Sequence, residues 1–246
     1  MPYNVIKQTE LGYILYNEND EYVGKSIAHY GDYQREETKF FSKYVKRGHA
    51  VLEIGANIGT HTLWFANRVG EEGYVLAFEP QRLIFQTLCA NMALNSKTNV
   101  DCKQMGAGST QQLVKIPVLD PEKFNNFGAL SIKDHEEGEN VAITPIDHIG
   151  LTQLDFLKID VEGMEPDVLM GGLHTIHDLQ PVIYMEVDRQ ENNPLLLEIM
   201  DSLNYKVEQH TPPLHSPDYE QENIFGELVS FNAICTPRDD RKKIIL

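Results

Sequence analysis

The sequence predicts one Rossmann-like α/β domain, with a mostly parallel sheet covered by helices on both faces. Three observations predict it. From Val51 onward, short apolar runs alternate with helical stretches, the pattern of strands joined by crossover helices. The runs are nearly continuous in apolar residues, as strands buried on both faces are. The first run ends in a glycine-bearing turn that opens a helix, where open α/β sheets bind their ligands.

The elements follow in chain order. Gly12–Tyr16 and Tyr22–Ile27 flank the polar stretch Asn17–Glu21 and predict a hairpin ahead of the main domain. Tyr30-Gly31-Asp32-Tyr33 then leads into an amphipathic helix over Gln34–Lys46. Strands are expected at Ala50–Ile54, Tyr74–Phe78, Val100–Gln104, Asn140–Ile143, Phe156–Ile159, Val182–Val187, Tyr205–Glu208 and Ser230–Cys235. Further helices are expected at His61–Val69, Arg82–Asn95 and Pro194–Leu203. The polar segment Asp120–Asn140, with Asn125-Asn126-Phe127-Gly128, has the length of a binding loop. The division read from this is an N-terminal extension over 1–33 and a main domain over 34–246.

Composition narrows the partners. The formal net charge is -16, a field that repels phosphate backbones and anionic lipid. Lys and Arg are scattered, and Arg241-Lys242-Lys243, the one tight basic run, reads as a solvated tail. Nucleic acid is therefore not expected as a partner. No apolar run is long enough for a membrane span, and no secretory signal is visible at Met1-Pro2-Tyr3-Asn4. Cys89, Cys102 and Cys235 are odd in number and form no C-x-x-C pair. Disulfides and cysteine zinc sites are not expected, and a reducing, cytoplasmic location fits. Assembly into a homo-oligomer is left open.

The stretch Val51-Leu52-Glu53-Ile54-Gly55-Ala56-Asn57-Ile58-Gly59-Thr60-His61-Thr62 is the most informative. An apolar strand ends beside an acid, turns through Gly55 and Gly59, and opens a helix. A dinucleotide needs G-x-G-x-x-G so that amides can cradle a pyrophosphate. This loop lacks that spacing, and Glu53 at its entrance would repel phosphate. Glu53 suits the ammonium and sulfonium charges of S-adenosylmethionine, so a methyl donor is favoured over a dinucleotide. Glu79 closes the next strand in Phe78-Glu79-Pro80, where an acid accepts hydrogen bonds from both ribose hydroxyls. Gly106, in Met105-Gly106-Ala107 after the third strand, is placed near the adenine edge. The cofactor-binding set expected from these motifs is Glu53, Gly55, Ala56, Asn57, Gly59, Thr62, Glu79, Pro80, Gly106 and Asp160.

For the chemistry, Asp160 and Glu162 follow one strand, and Glu186 and Asp188 close the next. Carboxyl ends of parallel strands share one crevice. Asp160 is expected on the active-site floor. Glu186, an acid inside an apolar strand, needs a partner or ligand. Glu162 reads equally as a cap of the following turn. His210 and His215 flank a loop after the sixth strand, and either could serve as the general base. His61 could touch cofactor, but a helix-surface position is the more ordinary reading. His148, His174 and His177 read as surface or packing residues. The catalytic set expected is Asp160, Glu186 and His210. No zinc pattern exists. Asp160 and Glu186 could hold magnesium, but with no third acid assured, a metal-free base is preferred.

At this point the residues resemble the FkbM family of methyltransferases. The resemblance rests on Glu53–Gly59, on Phe78-Glu79-Pro80, and on Phe156-Leu157-Lys158-Ile159-Asp160-Val161-Glu162-Gly163-Met164-Glu165. Thr144-Pro145-Ile146-Asp147, Tyr30-Gly31 and Ser230–Cys235 also fit, so it spans Tyr30 to Pro237. It implies the class I methyltransferase sheet: seven strands, the last antiparallel and inserted between the fifth and sixth. It also implies O-methylation, often of sugar hydroxyls in glycans or natural products. The leading expectation is thus an S-adenosylmethionine-dependent O-methyltransferase for a sugar or small-metabolite hydroxyl, its partner a small-molecule or glycan acceptor. A non-catalytic module that binds the methyl donor within a biosynthetic complex, or a nicotinamide-dependent oxidoreductase, are the alternatives.

Overall fold

The computed structural model describes residues 3–132 and 135–238; the basic run Arg241-Lys242-Lys243 lies outside them. Strands β1 (Asn4–Gln8) and β2 (Tyr13–Asn17) pair as an antiparallel hairpin. This corrects the expected hairpin, because the run Tyr22–Ile27 is not a strand. It belongs to helix α1 (Val23–Tyr30), on which Val23, Ile27 and Tyr30 are buried. Helical spacing of 4 and 3 puts those three on one face. Gly24 permits the packing, since a Cβ there would lie 2.1 Å from the Asn17 carbonyl oxygen. Asp20 fixes the entry, its Oδ1 accepting from the backbone N–H of Tyr22 and Gly24 at 3.0 and 3.1 Å.

Helix α2 (Arg35–Phe41) is shorter than the expected Gln34–Lys46. Beyond it the Arg68 guanidinium takes the carbonyls of Ser42 and Val45, each at 2.9 Å. The chain then runs through β3 (Ala50–Ile54), α3 (Thr60–Val69), β4 (Tyr74–Phe78), α4 (Arg82–Leu94), β5 (Val100–Lys103), β6 (Met105–Ala107), β7 (Gln112–Ile116) and β8 (Glu139–Thr144). It continues with β9 (Phe156–Ile159), α5 (Glu165–Met170), α6 (Leu173–Leu179), β10 (Val182–Glu186), α7 (Asn193–Ser202), β11 (Tyr205–His210) and β12 (Asn232–Pro237). Helices α5 and α6 were not anticipated.

The central sheet has seven strands in the order β11-β12-β10-β9-β3-β4-β5. All pairings are parallel except those of β12, which lies antiparallel between β10 and β11. The expected strand Asn140–Ile143 exists as β8 but leaves the main sheet. It sits in a three-stranded sheet, parallel to β6 and antiparallel to β7. Helices cover both faces. Leu52, Ile54, Leu157 and Ile183 pack with Val168, Ile176 and Leu196 of α5, α6 and α7. Val51, Val75, Phe156 and Tyr184 pack with Phe41 of α2 and Phe65 of α3. No helix among the described residues is long and apolar enough to cross a membrane.

The N-terminal segment is fastened to this frame at two places. The Asn91 amide of α4, fully buried, accepts from Leu15 N–H at 2.6 Å and donates to the carbonyls of Leu15 and Ile58. Asn95 does the same for both backbone groups of Tyr13. At the other end, Tyr30 stacks on Tyr219 at 4.3 Å, and its hydroxyl donates to Glu222 O and accepts from Ile224 N–H. The Gln34 amide donates to Ser230 Oγ at 3.0 Å. Residues of the N-terminus and of the β11–β12 connection thereby close over the carboxyl ends of the sheet.

Candidate active site

The strand order turns at β3, which has β9 on one side and β4 on the other. A crevice of about 440 Å³ opens past these carboxyl ends. Register sets its floor: Glu53 faces Lys158, and Ile54 faces Ile159, so Asp160 follows beside the glycine turn. Met185 faces Ile159 on the other side, so Glu186 comes level with Asp160.

The turn after β3 demands glycine. Gly55 has φ 85°, and a Cβ on it would lie 1.8 Å from the Asp160 carbonyl oxygen. Its backbone therefore lies against β9 and leaves the crevice side open. Asn57 also takes a positive φ of 52°; its side chain, not its strain, explains it, since Oδ1 accepts from Ile58 N–H at 2.7 Å. Glu79 accepts from Asn57 N–H at 2.9 Å with Oε2 and from Gln81 N–H at 2.8 Å with Oε1. Glu53 Oε2 accepts from the Thr62 hydroxyl at 2.6 Å, and its Oε1 lies 3.9 Å from Lys158 Nζ. Burial pushes both Glu53 and Glu79 up to about 7, opposed at Glu53 by the Lys158 cation and the Thr62 hydroxyl and at Glu79 by the backbone N–H donors of Gln81 and Asn57.

Of the residues expected from sequence, Glu53, Gly55, Ala56, Asn57, Glu79, Pro80, Gly106, Asp160 and Glu186 all line the crevice. Three others stand away from the wall. Gly59 is the N-cap of α3, and Thr62 is fully buried behind Glu53. His210 stacks on Phe40 at 3.9 Å and shares a hydrogen bond of 2.9 Å with the Tyr184 hydroxyl. Burial lowers the His210 pKa. His215 is engaged with the Tyr30 hydroxyl at 3.1 Å. His61 is not on the helix surface: it is 4% exposed and lines the crevice.

Two contributors, Lys158 and Glu37, were missed, and Glu162, left open between site and cap, joins the site. Glu162 brings a third acid to the pair, and one oxygen from each of Asp160, Glu162 and Glu186 falls within a 4.8 Å set. The expectation that no third acid is assured is therefore corrected. Burial first, then the neighbouring Asp160, Glu162 and Asp188 charges, pushes Glu186 up to about 10. Glu162 rises to about 7 by burial and the same crowding. Lys158 is 3% exposed, and its Nζ donates to Asp160 Oδ2 at 2.9 Å. Burial opposes its charge, but Asp160, Glu53 and Glu37 outweigh burial and raise its pKa. Glu37, on α2, is buried beneath it and accepts from Asn232 Nδ2 at 3.0 Å. A lysine inside a doubly covered strand was the available signal, because such a charge persists only with partners.

These acids set a pH dependence. Glu37, Glu53 and Glu79 are raised to about 7 from an ordinary 4.5. A folded pKa above the unfolded one gives stability that is full below about 4.5 and is lost as pH rises through about 7. The ligand-free protein is expected to melt at a higher temperature at pH 6 than at pH 8 in scanning calorimetry. A melting temperature that rises toward pH 8 would contradict the assignment.

Residues 53–209 match the Methyltransferase FkbM domain, more than half of the chain. The chain is 26% identical over 200 residues to "Methyltransferase 1" of Beauveria bassiana (strain ARSEF 2860), covering 72% of this chain and 80% of that one. It is 26% identical over 154 residues to "Methyltransferase sdnD" of Sordaria araneosa, covering 49% of this chain and 59% of the relative. Its fold superposes on the crystal structure of Methyltransferase FkbM from Methylobacillus flagellatus KT with a TM-score of 0.54 and 17% identity. That alignment covers 80% of this chain and spans half of the solved one. The strand order, the antiparallel β12 and the domain match agree: the chain belongs to the FkbM methyltransferase family.

Proposed function

We propose that the chain is an S-adenosylmethionine-dependent O-methyltransferase acting on a sugar or small-metabolite hydroxyl. The observation that carries this reading is the convergence of Asp160, Glu162 and Glu186 beside the glycine turn. A module that only binds the donor has no use for such a group of acids.

The residues fit the methyl donor. Gly55 lies against β9, where a Cβ would meet the Asp160 carbonyl oxygen at 1.8 Å, and so keeps its backbone bare on the crevice side; a Cβ on Gly106 would lie 2.7 Å from Ile143 Cδ1. Glu53 Oε1 is buried without a hydrogen-bond partner on a wall that favours cations. On this reading Glu79 would receive the ribose hydroxyls, Gly55–Asn57 would pass the thioether, and Gly106 would border adenine. Acids at both ends of the turn disfavour a pyrophosphate, and with it the nicotinamide reading.

When bound, S-adenosylmethionine supplies a methyl group on a sulfonium sulfur. The protein's part is orientation and proton handling. Lys158 holds Asp160 by Oδ2 and leaves the other carboxylate oxygen toward the crevice. Burial and the neighbouring carboxylates push Glu186 up to about 10, and Asp160, ion-paired with Lys158 at 2.9 Å, receives the acceptor's hydroxyl proton. Tyr22, Tyr33 and Gln34 from the N-terminus and Leu214, Val229 and Phe231 from the β11–β12 connection form the acceptor side. One observation favours a second version: three carboxylates that close offer oxygen ligands to magnesium, which would lower the hydroxyl's pKa directly.

The test is label transfer from methyl-labelled donor to a panel of free sugars, glycosides and small hydroxyl metabolites. Binding of S-adenosylhomocysteine without transfer to any acceptor would favour the non-catalytic module. Stabilisation by NAD but not by S-adenosylhomocysteine would favour the oxidoreductase. Within the site, Glu79→Ala is expected to weaken S-adenosylhomocysteine binding by about 1.5–3 kcal/mol, the loss of hydrogen bonds to a charged group. Wild-type calorimetric affinity in the folded variant would remove Glu79 from the donor site.

A further inference from the structure

The run Tyr30-Gly31-Asp32-Tyr33, between α1 and α2, is held more firmly than a joint between two helices requires. Gly31 closes α1 with φ 72°, and its N–H donates to Ile27 O at 3.0 Å. The Asp32 carbonyl accepts from Ser26 Oγ at 2.6 Å, and Asp32 Oδ2 accepts from Arg35 Nε at 2.6 Å. Asp32 Oδ1 accepts from the Tyr33 N–H at 2.7 Å. Gln34 follows with φ 52° and donates its amide to Ser230 Oγ across the crevice mouth. A turn fixed at so many points delivers Tyr33 and Gln34 to the crevice wall. The Gln34 amide is taken by Ser230, which leaves the Tyr33 hydroxyl.

Tyr33 is half-buried. Its ring lies 6.2 Å from that of His61 and packs against the cluster that holds Ile14, Ile27 and Leu88. Its hydroxyl makes no hydrogen bond to any described residue. The charges that act on it are carboxylates, Asp160 most strongly, then Glu37, Asp20 and Glu186. Burial first, and then those charges, hold the phenol proton well above its usual range. Tyr33 therefore presents an O–H donor to the crevice on the side of Asp160 and Glu186, with nothing of its own chain to receive it. A ligand oxygen completes such a group.

The chemistry says which oxygen. In the proposed reaction the methylated oxygen gives its proton to Asp160 and forms its bond to the methyl carbon with a lone pair, as the bond from that carbon to sulfur breaks. A proton donated to the same oxygen would hold back the electrons that attack. Tyr33 can serve the oxygen on the next carbon without that cost. Hydroxyls on adjacent carbons lie within one hydrogen-bond length of each other, so one reaches Asp160 while its neighbour reaches Tyr33. We propose that Tyr33 determines acceptor specificity: its O–H donates to the hydroxyl beside the one that is methylated, and so selects vicinal diols, the pattern of a sugar ring, over lone alcohols. The inference rests on the methyltransferase reading of the crevice and narrows its substrate class.

The experiment is label transfer from methyl-labelled S-adenosylmethionine to the methyl glycosides of glucose, galactose, mannose and xylose, and to cyclohexanol, which bears one hydroxyl. The wild-type chain is expected to label at least one glycoside and to leave cyclohexanol at background. Label on cyclohexanol at the rate of the glycosides, or on none of the glycosides, overturns the proposal. The best glycoside is then compared with its monodeoxy analogues at the carbons flanking the methylated one, in wild type and in Tyr33→Phe, which keeps the ring and its packing. One analogue is expected to lose about 10-fold in kcat/KM with the wild type, carried by KM, as one hydrogen bond is lost. Tyr33→Phe is expected to lose as much on the parent glycoside and nothing further on that analogue, because both changes remove the same contact. Losses that multiply, or an unchanged variant, overturn the proposal. Should Tyr33→Phe not fold, the wild type decides alone: full rates on both analogues overturn it. Failure of S-adenosylhomocysteine to bind in calorimetry sinks the methyltransferase reading itself, whereas binding with any of the overturning outcomes above sinks only the role of Tyr33.

Discussion

Asp160→Asn is expected to lower turnover by about 10²–10⁴-fold, the contribution of a positioned general base, while S-adenosylhomocysteine affinity stays near wild type. The substitution keeps the shape and the hydrogen bond from Lys158 but removes the charge that receives the hydroxyl proton. Glu186 cannot replace it at neutral pH, because its own proton is held up to about 10. Turnover within about threefold of wild type would remove Asp160 from the chemistry, since a base of this kind contributes far more. The same assay separates the two versions of the site. Indifference to EDTA supports the metal-free pair, whereas activity lost with EDTA and restored by magnesium supports an ion held by Asp160, Glu162 and Glu186.

Gly55→Ala is expected to be the most damaging single methyl group in the chain. The added carbon would sit 1.8 Å from the carbonyl oxygen of Asp160, the residue directly after β9, a strand paired on both sides. The residue would also be forced into φ 85°, where a side chain clashes with its own carbonyl. Overpacking and the left-handed strain together put the loss at about 3 kcal/mol or more. Gly48→Ala is the control, with φ 79° but nothing within 4 Å of the added carbon; it carries the left-handed strain alone, about 1–2 kcal/mol. Urea denaturation of both variants decides the point. Equal losses would show that the contact with Asp160 does not shape the turn.

The sequence made the centre of the fold legible and its edges much less so. Ala50–Ile54, Tyr74–Phe78 and Phe156–Ile159 were read with their observed bounds because each is an apolar run stopped by glycine or an acid. Helix α1 was misread as a strand for a definite reason. Gly24 interrupts its pattern, and the need for that glycine is a contact with Asn17 on the preceding strand. The spacing of Val23, Ile27 and Tyr30 was the better signal. The departure of β8 from the main sheet has no local mark, since its partners Gln112–Ile116 and Met105–Ala107 are chosen by tertiary pairing. At the site, the donor-side residues follow from one turn and one strand end. Glu37 could not be read that way. It looks like a helix-surface acid until α2 places it under Lys158 and Asn232.

The walls assigned to the acceptor lie outside the stretch 53–209 that carries the family match. They are supplied by residues 22–34 and 214–231, and the Tyr30–Tyr219 stack binds those two segments to each other. Under the proposed function, the acceptor and the methyl donor are thus held by separate pieces of chain. The stack adds a rule for transplantation between relatives: the two segments must travel as a pair, because either one grafted alone arrives without the ring it leans on.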